Sequence, residues 1–138
     1  MILLDTNVIS EMMKTTPSSK VIAWIDEQEI THLFVSTITI AEISYGLSAL
    51  PEGNRRQLLE HAFNNTIKEA FKHRVISFDE PAAHQYGKMM SSRKKLGRPL
   101  NILDGQIAAI ALEQRFALAT RNTRDFINCE IDLIDPFK

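Results

Sequence analysis

The sequence predicts an α/β fold in which helices cover a mostly parallel central sheet, and three observations carry that expectation. Apolar runs of strand length alternate with longer segments of helical periodicity along the chain, an order that favours parallel strands joined by helices. No internal repeat, low-complexity tract or dividing linker interrupts that order. At 138 residues, 44% of them hydrophobic, the chain can bury one core and is too short for two, so a single domain over 1–138 is expected.

Ile2 to Leu4 form an apolar run that stops at Asp5-Thr6-Asn7, a buried strand running into a polar turn, with a short helix from Val8 to Lys14. Thr15 to Ser19 make a loop, and Ser18 or Ser19 can cap a helix carrying Val21, Ile22, Trp24 and Ile25. Leu33 to Val35 read as a second strand, followed by a helix from about Thr39 to Leu50. Pro51-Glu52-Gly53 break the chain. Leu58, Leu59, Ala62, Phe63, Ile67 and Phe71 then recur at helical spacing up to a third strand at Val75 to Phe78. Asp79 caps a helix with Pro81 in its first turn, which ends near Leu96, where Gly97 can turn left-handed before Arg98-Pro99. A helix from about Ile102 to Arg115 leads into a strand at Ala117 to Thr120, and Ile131 to Ile134 form a last strand before Pro136.

Net charge is −1, so any polyanion must be met by local basic patches and not by a cationic whole. Cys129 is the single cysteine, which excludes an intrachain disulfide and a cysteine-based zinc cluster and suits a small core side chain. His32, His61, His73 and His84 lack metal-ligand spacing and read as surface or core histidines. Asp5 interrupts the apolar start, no leader pattern follows, and no segment is apolar for long enough to span a bilayer; a cytoplasmic protein without membrane contact is expected.

Three carboxylates stand out by position. Asp5 lies where the first strand ends, and ligands of parallel sheets collect beyond the carboxyl ends of strands; capping the next helix is an equally good account of it. Glu42 sits off the stripe of Ile40, Ile43, Leu47 and Leu50, on a side with Gly46 and Ala49, either reaching into a cleft or simply solvated. Asp104 borders the buried face of Leu103, Ile107 and Ile110, which suggests a bound cation or a partner such as Arg115, while its place in the first turn also suits the helix dipole. Converging carboxylates repel unless a hard cation joins them, and oxygen ligands suit Mg²⁺ or Mn²⁺.

Four ordered blocks add a family. Met1-Ile2-Leu3-Leu4-Asp5-Thr6-Asn7-Val8-Ile9-Ser10-Glu11, Thr39-Ile40-Ala41-Glu42, Asp104-Gly105-Gln106-Ile107-Ala108-Ala109 and Leu118-Ala119-Thr120-Arg121-Asn122 together resemble PIN-domain ribonucleases, in particular the VapC and FitB-like toxins of bacterial toxin–antitoxin pairs. The resemblance covers nearly the whole chain and implies a PIN-like three-layer α/β/α domain. It implies that Asp5, Glu42 and Asp104 hold catalytic Mg²⁺ or Mn²⁺, with Thr6, Asn7, Thr120 and Asn122 in support. A fourth acid is common in the family where this chain has Asn122. Asp125, three residues on, either completes the catalytic set or is a turn residue, and the missing charge at Asn122 bears on whether a second metal binds.

The chemistry expected is hydrolysis of an RNA phosphodiester by in-line attack of water activated by the cation, with no side-chain nucleophile. Arg93, Lys94, Lys95 and Arg98 on one side of Asp104, and Arg121 and Arg124 on the other, either track phosphates or decorate helix ends as solvated charges; Arg98 and Arg121 are the expected RNA contacts. The resemblance further implies a homodimer and a cognate antitoxin whose C-terminal segment fills the active-site groove. The apolar residues around Trp24 and those from Leu58 to Phe71 are compatible with such contacts or with core packing. Two rivals stand beside this reading: a PIN-like binding module that has lost turnover at Asn122, and a phosphotransferase using Asp5 as nucleophile, which usually wants a second Asp where Asn7 stands.

Overall fold

A computed structural model describes residues 1–138. Five strands form one all-parallel sheet: β1 (Ile2–Leu4), β2 (Leu33–Ser36), β3 (Val75–Ile76), β4 (Ala117–Ala119) and β5 (Leu133–Ile134), in spatial order β3-β2-β1-β4-β5. Six helices connect them: α1 (Thr6–Met12), α2 (Ser19–Asp26), α3 (Thr37–Ser48), α4 (Asn54–Asn65), α5 (Glu80–Lys95) and α6 (Ile102–Gln114). No helix is long and apolar enough to cross a membrane.

The pleat divides the core in two. Leu3 and Leu118 face α5 and α6, joining Ala82, Met89, Ile107 and Ile110 in one buried cluster that also takes in Cys129. Leu4, Leu33, Val35 and Ala119 point the other way, onto Val8, Val21, Ile43, Leu47, Phe63 and Phe71. The result is the three-layer α/β/α arrangement the sequence predicts, with most of the apolar stripe from Leu59 to Phe71 and the α2 face of Val21, Trp24 and Ile25 spent on the core. Leu58, 71% exposed, and Ala62 are the members of the segment from Leu58 to Phe71 that stay in solvent.

Element ends depart from the expectations in instructive ways. The first helix begins at Thr6 and not Val8, because Asp5 caps it, and the third begins at Thr37 because the Ser36 hydroxyl accepts from Thr39 N. Ser18 holds the N-cap position of α2 without a side-chain cap bond. The helix after Gly53 loosens at Thr66–Ala70 into a wider turn, and β3 and β5 shrink to two residues each, as edge strands with one neighbour do. Asp79 caps α5 through Ala82 N, and Gly97 takes φ +72 as expected. Gly105 lets α6 press on α5: a Cβ there would lie 2.6 Å from Met90 Sδ.

Candidate functional site

From β1 the chain winds outward through β2 and β3, then returns to build β4 and β5 on the other side of β1. A crevice opens where this order reverses, at the carboxyl ends of β1 and β4. Asp5 follows β1 directly and Thr120 follows β4, and they meet: Thr120 Oγ1 donates to Asp5 Oδ2 at 2.8 Å. Asp5 Oδ1 accepts from Thr6 N at 2.8 Å, so Asp5 is both helix cap and crevice carboxylate, and the two accounts of it are compatible. Asn7 ties the ends together, donating to Asp5 Oδ2 and Thr120 Oγ1 at 3.3 Å each and accepting from Arg121 N at 3.2 Å.

Glu42 comes in from α3. Thr6 Oγ1 donates to Glu42 Oε1 at 2.9 Å and also lies 2.9 Å from Thr39 Oγ1. Thr6 has one hydroxyl proton, so with that proton on Glu42 the buried Thr39 hydroxyl is the donor to Thr6. Asp104 comes from the first turn of α6, where Asn101 grips it twice: Asp104 N donates to Asn101 Oδ1 at 2.9 Å and Asn101 Nδ2 donates to Asp104 Oδ2 at 2.7 Å. Arg115 is not its partner. A helical wheel gives angle and not height, and Arg115 sits at the far end of α6, in a left-handed conformation (φ 59) that terminates the helix.

Asp5, Glu42 and Asp104 line one cavity of about 340 Å³ with Thr6, Asn7, Ser10, Glu11, Lys14, Arg121 and Asn122, without an apolar side chain among them. Burial lifts the Asp5 carboxyl from 3.8 to about 6; the hydrogen bonds from Thr120 and Thr6 N oppose the rise, and the charges of Asp104 and Glu42 add to it. Burial also raises Asp104, with Asn101 opposing and Asp125 adding. Glu11 goes the other way, held below the ordinary carboxylate range first by its hydrogen bond from Lys14.

In this structure no three acidic or histidine side chains are drawn tightly enough together to grip one ion; Asp5, Glu42 and Asp104 are instead engaged by the hydroxyls and amides just described. The donor chemistry nevertheless fits a hard divalent cation: all-oxygen, multiply anionic, with Asp5 disfavoured as an anion by two like charges that a cation would offset.

Asn122 lines this cavity; Asp125 does not. Asp125 opens into a second cavity of about 420 Å³ with Arg98, Asn101, Arg124 and Asp104, so Asp104 is the wall the two share. Arg121 belongs to the first cavity and Arg98 to the second. Arg93 neither tracks phosphates nor floats in solvent. It is 4% exposed and donates to the carbonyls of Ile127 and Asp125, pinning the turn Thr123–Phe126.

Sequence reasoning passed over Thr39, Asn101 and Glu11 as site residues. Asn101, three residues before Asp104, carried a readable signal, the spacing of a reciprocal helix-start pair. Glu11 and Lys14 carried one too, the i,i+3 spacing of a helical ion pair, but the contact of Glu11 with Arg121 and that of Thr39 with Thr6 join residues that no local spacing connects.

Fold and crevice together define an α/β domain with an acidic cleft at the switch point of a parallel sheet. The chain belongs to the PIN domain family, whose model matches residues 2–130. It is 41% identical to the VapC ribonuclease Y4jK of Sinorhizobium fredii, over 100% of this chain and 99% of that protein. It is 36% identical to the toxin FitB of Neisseria gonorrhoeae, over 99% of each. The crystal structure of FitAcB from Neisseria gonorrhoeae matches it with a TM-score of 0.93 at 36% identity, over 99% of both chains.

Proposed function

We propose that this chain is a Mg²⁺- or Mn²⁺-dependent endoribonuclease that acts as the toxin of a toxin–antitoxin pair in the cytoplasm. The observation that carries the reading is the gathering of Asp5, Glu42 and Asp104 around one all-polar cavity, with Asp5 raised to about 6 by burial and by its like-charged neighbours. Relatives named as a ribonuclease and as a toxin support it.

Asp5, Glu42 and Asp104 would hold the cation. When bound, it polarises the phosphate and lowers the pKa of the attacking water. Thr120 and Asn7 fix Asp5, Thr39 acts through Thr6 to fix Glu42, and Asn101 fixes Asp104. Arg121 and Arg98, in cavities on either side of Asp104, suit phosphates flanking the cleaved bond. A groove of about 930 Å³ between α1, α3 and α4 shares Thr6 and Glu42 with the acidic cavity and offers an antitoxin segment a path into it.

The decisive experiment is Asp5→Asn with purified RNA and Mg²⁺ or Mn²⁺: loss of cleavage in a folded variant is expected, and full activity excludes the role. Light scattering after size exclusion tests the homodimer, which a concentration-independent monomer overturns. A second reading, a PIN-like binding module with weak turnover, draws on Asn122 standing in the cavity where an acid is expected; absence of cleavage alongside measurable cation binding favours it.

A further inference from the structure

The acidic cavity contains a fourth carboxylate that the proposed reaction leaves unused. Glu11, near the end of α1, is 6% exposed and lines the same cavity as Asp5, Glu42 and Asp104. Two cations sit on it, Lys14 Nζ at 2.7 Å from Oε2 and Arg121 Nη2 at 3.8 Å from Oε1. Their own side chains are 57% and 52% exposed, so a buried anion holds two cationic side chains that are open to solvent.

Arg121 is held from two further sides. Its guanidinium carbon lies 3.9 Å from the centre of the Phe137 ring, and its backbone N–H donates to Asn7 Oδ1. An exposed Lys or Arg ordinarily loses rotamer freedom when it binds, and one fixed beforehand by a buried anion loses less. One negative and two positive charges leave this corner of an otherwise acidic cleft with a net charge of one positive.

We propose that Glu11 is a positioning residue that holds Lys14 and Arg121 at the cavity as a paired contact for RNA phosphates. The identity of the polyanion rests on the ribonuclease reading. The clamp makes a prediction opposite in sign to simple electrostatics. A carboxylate facing RNA repels it, so removing the charge should tighten binding; removing a carboxylate that organises two cations should weaken it.

Fluorescence anisotropy with an end-labelled single-stranded RNA in EDTA reads binding apart from cleavage. Glu11→Gln is expected to raise Kd about tenfold, and the pair Lys14→Gln/Arg121→Gln at least as much. Adding Glu11→Gln to that pair should produce no further loss, because Glu11 acts only through the two cations. Binding by Glu11→Gln that equals or exceeds wild type overturns the proposal, as does further weakening in the paired background or wild-type binding by the pair itself. Glu11→Asp, which keeps the charge at a shorter reach, replaces Glu11→Gln if the latter does not fold and carries the same expectation of weaker binding. Glu11-dependent binding by a chain that cuts no RNA with Mg²⁺ or Mn²⁺ defeats the ribonuclease reading and leaves the clamp standing. Cleavage with Glu11-independent binding does the reverse.

Discussion

Thr120 donates its hydroxyl proton to Asp5 across 115 residues of sequence, joining the ends of the two strands that flank the crevice. The same hydroxyl accepts from Asn7 Nδ2 and from Asn122 N, so one oxygen fixes the carboxylate and the loop that follows β4. Thr120→Val keeps the shape and removes all three bonds. It should cost about 1–3 kcal/mol, the usual penalty for orphaning buried polar groups. Because the Thr120 bond holds the Asp5 pKa down, its loss should move the acid limb of the pH–rate profile to higher pH. An unmoved limb would mean that Thr120 only fills space.

Asp5 makes the fold pH-dependent in an uncommon direction. Its folded pKa of about 6 lies above the 3.8 of an exposed aspartate, so between those values the folded state holds a proton that the unfolded state has released. Stability therefore falls as pH rises from about 4 to about 6 and is flat above, by up to about 3 kcal/mol. Asp104, also raised, adds in the same direction. Urea titrations in EDTA at pH 4.5 and 7.5 should show the drop in wild type and a reduced one in Asp5→Asn. Mn²⁺ at pH 7.5 should restore stability to wild type more than to the variant.

How much of this could be read from the chain depends on where each residue's partner lies. Asp5 was legible because a strand end is visible in an apolar run, and Asp104 because a carboxylate beside a buried helical stripe demands a reason. Of the two partners the pattern suggests, a cation or an arginine such as Arg115, only the arginine fails, since periodicity fixes a direction around α6 and says nothing of the helix end at which Asn101 waits. Thr39 looks like an ordinary first-turn hydroxyl until Thr6, 33 residues earlier, is placed beside it. Arg93 reads as one more cation in a basic helix end, and only the loop packed over it shows that its charge is buried. The edge strands β3 and β5 are shorter than the apolar runs that mark them, because those runs extend beyond the residues that pair, after Ile76 in β3 and before Leu133 in β5.

Asn101 offers a test of Asp104 that leaves the carboxylate in place. Asn101→Ala removes the cap on α6 and should destabilise the protein by about 1 kcal/mol. It should also raise the Asp104 pKa further, because the Asn101 bond opposes the effect of burial. Asn101→Asp restores the cap acceptor but sets a second anion 2.7 Å from the first, so it should recover stability less well than Asn101→Ser. Thermal midpoints at pH 5 and pH 8 separate the two, with the Asp variant falling further behind at the higher pH. Equal behaviour of Asp and Ser at both pH values would contradict the reciprocal grip.

Asn122 and Asp125 compete for the fourth acidic position, and the cavities give opposite weight to them. Asn122 lines the cleft with Asp5, Glu42 and Asp104, while Asp125 faces Arg98 and Arg124 on the other side of Asp104. Asn122→Asp therefore adds an anion to the proposed ligand set and should tighten Mn²⁺ binding about tenfold in a calorimetric titration. In EDTA the same charge has no cation to offset it, so the variant should melt below wild type and overtake it as Mn²⁺ is added. Asp125→Asn should change Mn²⁺ affinity less, acting only through its field on Asp104. A larger loss from Asp125→Asn than the gain from Asn122→Asp would reverse the assignment, and would require the turn pinned by Arg93 to swing Asp125 into the cleft when the cation binds.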